Sequence, residues 1–137
     1  MNILFFITPK RDVAYLFSDD TIRQAMEKME HHRYSCVPII DKEGTYRGTI
    51  TEGDVLWGLK NLKLENLKET EKVSIRSLKR RSDYKPVYVE TNMEELINRA
   101  MNQNFVPVVD DQDKFIGIIT RKDIIQYFYN KLNEKEK

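Results

Sequence analysis

Two short segments carry residue types able to hold a small molecule: Thr51-Glu52-Gly53-Asp54 and Thr120-Arg121-Lys122-Asp123. In each, a hydroxyl stands three residues before a carboxylate, where an apolar strand pattern gives way to a helical one. That spacing builds a capping box, in which hydroxyl and carboxylate satisfy the free N–H groups of a first helical turn. The same geometry suits a ligand. Helix N-termini offer unpaired N–H groups and a positive dipole end, which favour phosphate. A carboxylate beside them can accept both hydrogen bonds of a ribose diol, and β-branched neighbours can wall a base. The roles are compatible, because a carboxylate has lone pairs for both.

Repetition lifts these segments above a single cap. Gly48-Thr49-Ile50-Thr51-Glu52-Gly53-Asp54 is followed 69 positions later by Gly117-Ile118-Ile119-Thr120-Arg121-Lys122-Asp123. Upstream of each lies an apolar run ending in aspartate, Val37-Pro38-Ile39-Ile40-Asp41 and Val106-Pro107-Val108-Val109-Asp110, at the same offset. An internal duplication fixes architecture before propensity is consulted, and two similar halves forming one pseudo-symmetric unit are expected. Within 137 residues each half is too small to be a robust folder alone, so the halves are expected to bury their main apolar faces against each other.

The elements that must position the motifs follow from periodicity. Ile3 to Ile7 reads as a short apolar turn or helix. Val13 to Phe17 reads as a strand with both faces covered, and Ser18, Asp19 and Asp20 as turn and cap. Ile22, Ala25, Met26 and Met29 recur at helical spacing, the stripe of an amphipathic helix. Cys36–Ile40 and Tyr46–Thr51 are predicted strands of a hairpin turning at Asp41-Lys42-Glu43-Gly44. The closing helix is expected to bury Val55, Leu56 and Leu59 and to use Trp57 as an anchor for the connector. Leu59 to Lys72 reads as a charged helix, and Ser74 as the cap of a short turn carrying Ile75 and Leu78. The pattern then replays. Val87 and Val89 lie in a strand whose start Pro86 marks as edge or irregular. Thr91 with Glu94 reads as a capping box before a stripe of Met93, Leu96, Ile97 and Ala100. Strands over 105–109 and 115–120 turn at Asp111-Gln112-Asp113, and a last helix is expected to bury Ile124, Ile125 and Phe128. From Ile22 to Pro38 is 16 residues, but from Met93 to Pro107 only 14. The expected layout is α+β: a first repeat with its N-terminal segment over 1–60, a helical connector over 61–72, a second repeat over 73–130 and a frayed tail over 131–137.

Two copies of V-P-hydrophobic-hydrophobic-D followed by G-x-I-T-x-x-D, each after a strand and an amphipathic helix, resemble a CBS-domain pair, or Bateman module. The likeness spans roughly Ile7 to Phe128. It implies two strand-helix-strand-strand-helix repeats and two clefts, which in many members take adenosine derivatives: AMP, ADP, ATP, S-adenosylmethionine or cyclic di-AMP. It also implies that each cleft joins the first strand and pre-proline segment of one repeat to the T-x-x-D of the other. Carried over, a first set is Val13, Ala14, Tyr34, Ser35 and Cys36 as base contacts, with Thr120 and Asp123 for ribose and Arg121 and Lys122 for phosphate. A second set is Lys85, Pro86, Val87, Asn104 and Phe105 with Thr51, Glu52 and Asp54. Here Glu52-Gly53 replaces Arg121-Lys122 and Phe105 replaces Cys36. Binding is therefore expected in the first set, and in the second only if Lys79, Arg80 or Arg81 supplies the missing charge. The segments Asp12-Val13-Ala14, Tyr34-Ser35-Cys36 and Thr120-Arg121-Lys122 also look like small stand-alone CBS-pair proteins of bacteria, some of them cyclic di-AMP receptors.

Other chemistries find less support. With 23 basic and 22 acidic residues the chain lacks the charge of a dominant nucleic-acid surface. The apolar start is too short, and lacks the basic leader, for a signal peptide or membrane span, so a cytoplasmic protein is expected. Cys36 is the only cysteine, which excludes an intrachain disulfide. It precedes a strand proline, as a small wall residue would. His31-His32 has no acid or cysteine partner at metal spacing. Asp110, Asp111 and Asp113 lack the glycine and terminal glutamate of a calcium loop. No nucleophile-base constellation is present, so a non-enzymatic protein with no required cofactor is expected. Two readings remain: a sensor that binds an adenosine-type nucleotide and signals to an effector protein, and a ligand-free dimerisation or interaction module. Partly covered helical faces at Leu56, Leu59 and Phe128 point to a homodimer in either case.

Overall fold

The computed structural model describes residues 2–81 and 83–135. A 3-10 turn, Ile3–Phe6, leads through β1 (Thr8–Pro9) and a second such turn (Lys10–Asp12) to β2 (Leu16–Phe17), α1 (Ile22–His32), β3 (Cys36–Ile40), β4 (Tyr46–Thr51), α2 (Glu52–Asn61) and α3 (Leu67–Thr70). After a 3-10 turn at Ile75–Ser77 come β5 (Val87–Tyr88), α4 (Met93–Asn102), β6 (Phe105–Val109), β7 (Phe115–Thr120) and α5 (Arg121–Lys135). The fold is α+β, with two copies of strand-helix-strand-strand-helix. The chain divides into two compact units, Ala14–Asp83 and Met1–Val13 with Tyr84–Lys137. The N-terminal segment, assigned above to the first repeat, packs into the unit of the second: β1 pairs with β7, Thr8 opposite Ile118.

Each unit is built around a hairpin whose central strand is fully apolar. β3 (CVPII) and β6 (FVPVV) are buried at every position. Both strands carry a mid-strand proline, which a central strand tolerates only where no ladder bond is lost. Thr49, opposite Pro38, aims its N–H away from β3 at the Asp83 carboxylate, 3.2 Å off. Pro38 therefore presents its missing N–H to the β2 side, and β2 pairs only beyond it, Leu16 with Ile39 and Phe17 with Ile40. The strand expected over residues 13–17 is thus two residues long, and β5 likewise excludes Val89. Pro86 precedes β5, which is an edge strand as expected. The hairpin loops match the expected composition. Asp41 accepts the N–H groups of Glu43 and Thr45, and Asp110 those of Gln112 and Lys114. Left-handed Gly44 and Asp113 complete the two turns. Burial pushes the Asp41 carboxyl up. The Thr45 N–H, Arg47 and the Glu43 N–H outweigh that and hold it below its ordinary value.

The helices close two separate cores. Ile22, Ala25 and Met29 of α1 and Val55 of α2 pack on Leu16, Val37, Ile39 and Ile50. Leu96 and Ala100 of α4 and Ile124 of α5 pack on Val87, Val106, Val108 and Ile119. Several expectations fail at the helix ends and outer faces. Thr21, not Ser18, Asp19 or Asp20, caps α1, in a box with Gln24. Asn92, not Thr91, caps α4, accepting the Glu95 N–H at 2.8 Å. All these residue types cap well, and the choice falls to the one whose backbone is extended just before the first helical residue. The connector is not one helix. α2 stops at Asn61, Lys63 turns left-handed with φ 56°, and only the four residues of α3 are helical beyond it. The tail expected to fray is helical through Lys135, and residues 136 and 137 lie outside the described residues. Leu56 (58% exposed), Trp57 (54%), Ile125 (61%) and Phe128 (39%) are not buried. In one unit a groove of about 420 Å³ runs beside Met26, Val55, Leu56 and Leu59. In the other, one of about 440 Å³ is lined by Ile97, Ile124, Ile125, Phe128, Tyr129 and Leu132.

The cap assignment is directly checkable. Asn92→Ala should lower stability by about 1 kcal/mol, whereas Thr91→Ala should stay within about 0.5 kcal/mol of the parent. The two midpoints in urea distinguish them.

Candidate functional site

The hairpin register carries each pre-proline segment to the T-x-x-D of its own repeat. Cys36 lies opposite Thr51, and the Glu52 N–H donates to the Ser35 carbonyl at 2.9 Å. Phe105 lies opposite Thr120, and the Arg121 N–H donates to the Asn104 carbonyl at 3.0 Å. In the first unit α1 ends in left-handed Arg33, and the Tyr34 N–H returns to the Met29 carbonyl. That turn sets the Tyr34 ring, 39% exposed, in a stack with His32 at 5.2 Å. Ser35 is exposed, Cys36 is buried and Ala14 is half-buried. Of the first set, Ala14, Tyr34, Ser35 and Cys36 thus belong to one unit, and Val13 and Thr120 to Asp123 to the other.

The two acids of the motif differ in what they already hold. Asp54 is 5% exposed and closes a full capping box: its Oδ2 accepts the Thr51 N–H at 3.0 Å and its own N–H donates to Thr51 Oγ1 at 3.1 Å. Its other oxygen, Oδ1, accepts the Arg81 N–H at 3.1 Å. Both carboxylate oxygens are therefore engaged within the unit. Asp123 makes only half a box, its N–H donating to Thr120 Oγ1 at 3.1 Å. Among the described residues no donor reaches the Asp123 carboxylate, which is half-buried. Arg121 donates from Nε to the Ala100 carbonyl at 2.8 Å, anchoring the guanidinium at the end of α4, and Lys122 is exposed. Glu52, at the position of Arg121, is exposed.

Of the cations expected to rescue the second set, Arg80 is occupied elsewhere, and Lys79 and Arg81 are exposed. Arg80 grips Asp83 at 2.6 and 3.1 Å and donates to the Arg47 carbonyl. Arg81 approaches Asp54 through its backbone, not its side chain. A cavity of about 720 Å³ in the same unit is lined by Ser18, Asp19, Asp41, Arg47, Arg76 and Arg80. It sits at the hairpin-loop end of the sheet, away from Thr51 and Asp54. Arg47 there is paired with Asp41 at 2.8 Å and Arg80 with Asp83 at 2.6 Å.

Base contacts differ as well. In the second repeat Gln103, only 7% exposed, brackets Lys85: Oε1 accepts the Lys85 N–H at 3.0 Å, and Nε2 donates to the carbonyls of Lys85 and Phe105. The buried Tyr84 hydroxyl accepts the Asn104 N–H at 3.1 Å, and the Tyr84 ring meets Phe105 edge-on at 5.0 Å. Neither Gln103 nor Tyr84 was among the sequence candidates. Gln103 stands at the plain 69-residue offset from Tyr34. For Tyr84 the signal lay in the register of the first strands, since Leu16 opposes Ile39 and Val87 opposes Val108. First strands therefore align 71 apart, not 69, as the shorter second helix requires, and Tyr84 takes the place of Val13. No group of three or more metal-ligating side chains occurs among the described residues, and no described helix is long and apolar enough to cross a membrane.

Two such units, each with a T-x-x-D at a helix N-terminus beside a buried proline strand, define a CBS pair. The CBS-domain family model matches residues 6–61 and 75–130, and the chain belongs to that family. It is 33% identical over 116 residues to an inosine-5'-monophosphate dehydrogenase of Methanocaldococcus jannaschii, a match covering 85% of this chain and 22% of the enzyme. A second relative, L-aspartate semialdehyde sulfurtransferase of the same organism, is 30% identical over 83% of the chain and 21% of its own length. The chain thus spans about a fifth of these relatives. Among solved structures, CbpB in complex with c-di-AMP superposes with a TM-score of 0.88 at 25% identity, covering 99% of this chain and 89% of the other. A CBS-domain protein of Streptococcus pneumoniae gives 0.84 at 26% identity, over 94% and 87% of the two chains. CBSX2 in complex with AMP, at 21% identity and 0.75 over 94% and 96%, shares the fold.

The unequal engagement of the two acids predicts unequal stabilities. Asp54→Ala strands the Thr51 and Arg81 N–H groups and should cost about 1–3 kcal/mol. Asp123→Ala leaves its backbone cap bond intact and should cost clearly less. Chemical denaturation of the two variants decides it, and equal losses would refute the distinction.

Proposed function

We propose that the chain is a regulatory CBS module that binds one adenosine-type nucleotide through the first residue set and signals to an effector protein, without catalysis. The observation that carries this reading is the Asp123 carboxylate at the start of α5, which no donor reaches among the described residues and which Arg121 and Lys122 precede. An unpartnered acid matches a ribose diol, and two cations at a helix N-terminus match phosphate. Thr120 and Asp123 hold the ribose, Arg121 and Lys122 the phosphate, and Val13, Ala14, Tyr34, Ser35 and Cys36 receive the base. The likeness to a CBS-pair protein solved with c-di-AMP supports a nucleotide ligand. AMP, ADP, ATP, S-adenosylmethionine and cyclic di-AMP are the candidates, with no metal or other cofactor required. The setting is the bacterial cytoplasm, without nucleic acid or membrane as partner.

A second reading, a ligand-free interaction module, draws on Asp54, whose carboxylate the chain itself occupies. In both readings the exposed Leu56, Ile125 and Phe128 form a homodimer interface. Sedimentation should give a dimer at micromolar concentration, and a monomer there would contradict it.

Nucleotide binding is tested first by native mass spectrometry of freshly purified protein and by thermal shift. A ligand at 100 times its dissociation constant adds about 2.7 kcal/mol, so at least one of the five candidates should raise the melting temperature. If none does, the ligand-free reading stands. Calorimetry then assigns residues. Asp123→Ala or Arg121→Ala should remove most affinity, and Asp54→Ala, measured on folded protein, should leave it nearly intact. The reverse pattern would reassign the site.

A further inference from the structure

The nucleotide reading above leaves open why a duplicated module should bind only once. We propose that the base subsite of the second repeat is filled from within, by Tyr84 acting as an internal occupant locked in place by Gln103. The strand registers put Tyr84 where the first repeat has Val13, Phe105 where it has Cys36, and Gln103 where it has Tyr34. Val13 to Tyr84 and Cys36 to Phe105 add bulk, and Tyr34 to Gln103 replaces an exposed ring with a buried amide.

An adenine held by a strand and a pre-proline segment needs an aromatic or apolar face to lie against and backbone N–H and C=O groups to read its edge. In the second repeat all of these are taken. The Tyr84 ring lies against Phe105 at 5.0 Å, and its hydroxyl accepts the Asn104 N–H at 3.1 Å. Gln103 takes both backbone groups of Lys85, at 3.0 and 3.2 Å. Tyr84 and Phe105 are 9% and 6% exposed, as buried as Val13 (9%) and Cys36 (8%), whereas Gln103 is 7% exposed where Tyr34 is 39%. In the first repeat no side chain among the described residues bonds the Ala14 backbone; Ser35 and its counterpart Asn104 are both exposed. A satisfied buried polar cluster is costly to open, because each displaced donor or acceptor must be matched by the incoming molecule. Tyr84 thereby makes the second repeat a structural partner of the first, with one binding position per chain.

The test converts the second repeat to the residues of the first. Calorimetry with adenosine as probe avoids the Glu52 carboxylate, since the probe is uncharged. The parent should take one adenosine per chain, and the triple variant Tyr84→Val, Phe105→Cys, Gln103→Tyr should take two. A variant that stays at one, or a parent already at two, overturns the proposal. Zero in both sinks the nucleotide reading and this inference with it, whereas one in the parent and one in the variant sinks this inference alone. Should the triple variant fail to fold cooperatively, Tyr84→Phe keeps the ring and removes the hydroxyl. Hydrogen exchange at the Asn104 amide should then accelerate several-fold while stoichiometry stays at one. Unchanged exchange would show that Tyr84 does not hold that amide.

Discussion

Everything functional in this chain depends on the register of two hairpins. Setting Cys36 opposite Thr51 and Phe105 opposite Thr120 puts the end of the strand that starts a helix next to the residues that lead into a proline strand. Both hairpins share this register down to the irregularity between Ile39 and Ile40 and between Val108 and Val109. The bridging bonds, Glu52 N–H to the Ser35 carbonyl and Arg121 N–H to the Asn104 carbonyl, then follow from the same alignment. With that geometry common to both repeats, the chemistry of each is decided by a handful of side chains placed on it.

Those side chains have diverged in opposite directions. In one repeat the motif acid is drawn into the scaffold, holding the Thr51 and Arg81 amides at once. In the other, among the described residues, the corresponding acid has only its backbone in a cap. The base-side residues diverge in the same sense: beside Lys85, Tyr84 and Gln103 bond the neighbouring backbone, and no described side chain does so at Ala14. A buried acid with two backbone donors is a joint. The same acid without them is a hand left open.

Much of this was readable from the residues. The hairpin strands were legible to their end residues, because unbroken apolar runs flanked by Asp and Gly leave little freedom. The doubled motif was legible because duplication repeats an otherwise weak signal. Caps were not, since Ser18, Asp19, Asp20 and Thr21 are all competent and only backbone conformation chooses among them. The connector was misread because Leu, Lys and Glu favour helix while nothing in their identity announces a left-handed Lys63. The exposure of Leu56, Ile125 and Phe128 escaped because periodicity names an apolar face without saying what covers it. Tyr84 was missed for a simpler reason: the first strands of the two repeats are out of step by two residues, whereas Gln103 stands at the plain offset from Tyr34 and only its side-chain bonds mark it.

The outer margin of β4 carries a consequence of its own. In the unit containing β7 the matching margin is covered by β1, with Thr8 and Pro9 laid alongside Ile118 and Gly117. On β4 the same job falls to two side chains: Asp83 takes the Thr49 N–H, and Arg80 takes the Arg47 carbonyl while clasping Asp83. Gly48, with φ 137°, leaves the room they need, for a Cβ there would meet the Asp83 carboxylate. A bare strand margin is a template on which other chains can add as further strands, the first step toward fibrous aggregates. Charged side chains bent over that margin make poor company for an incoming strand. The clasp thus guards the colloidal behaviour of the protein as well as its shape.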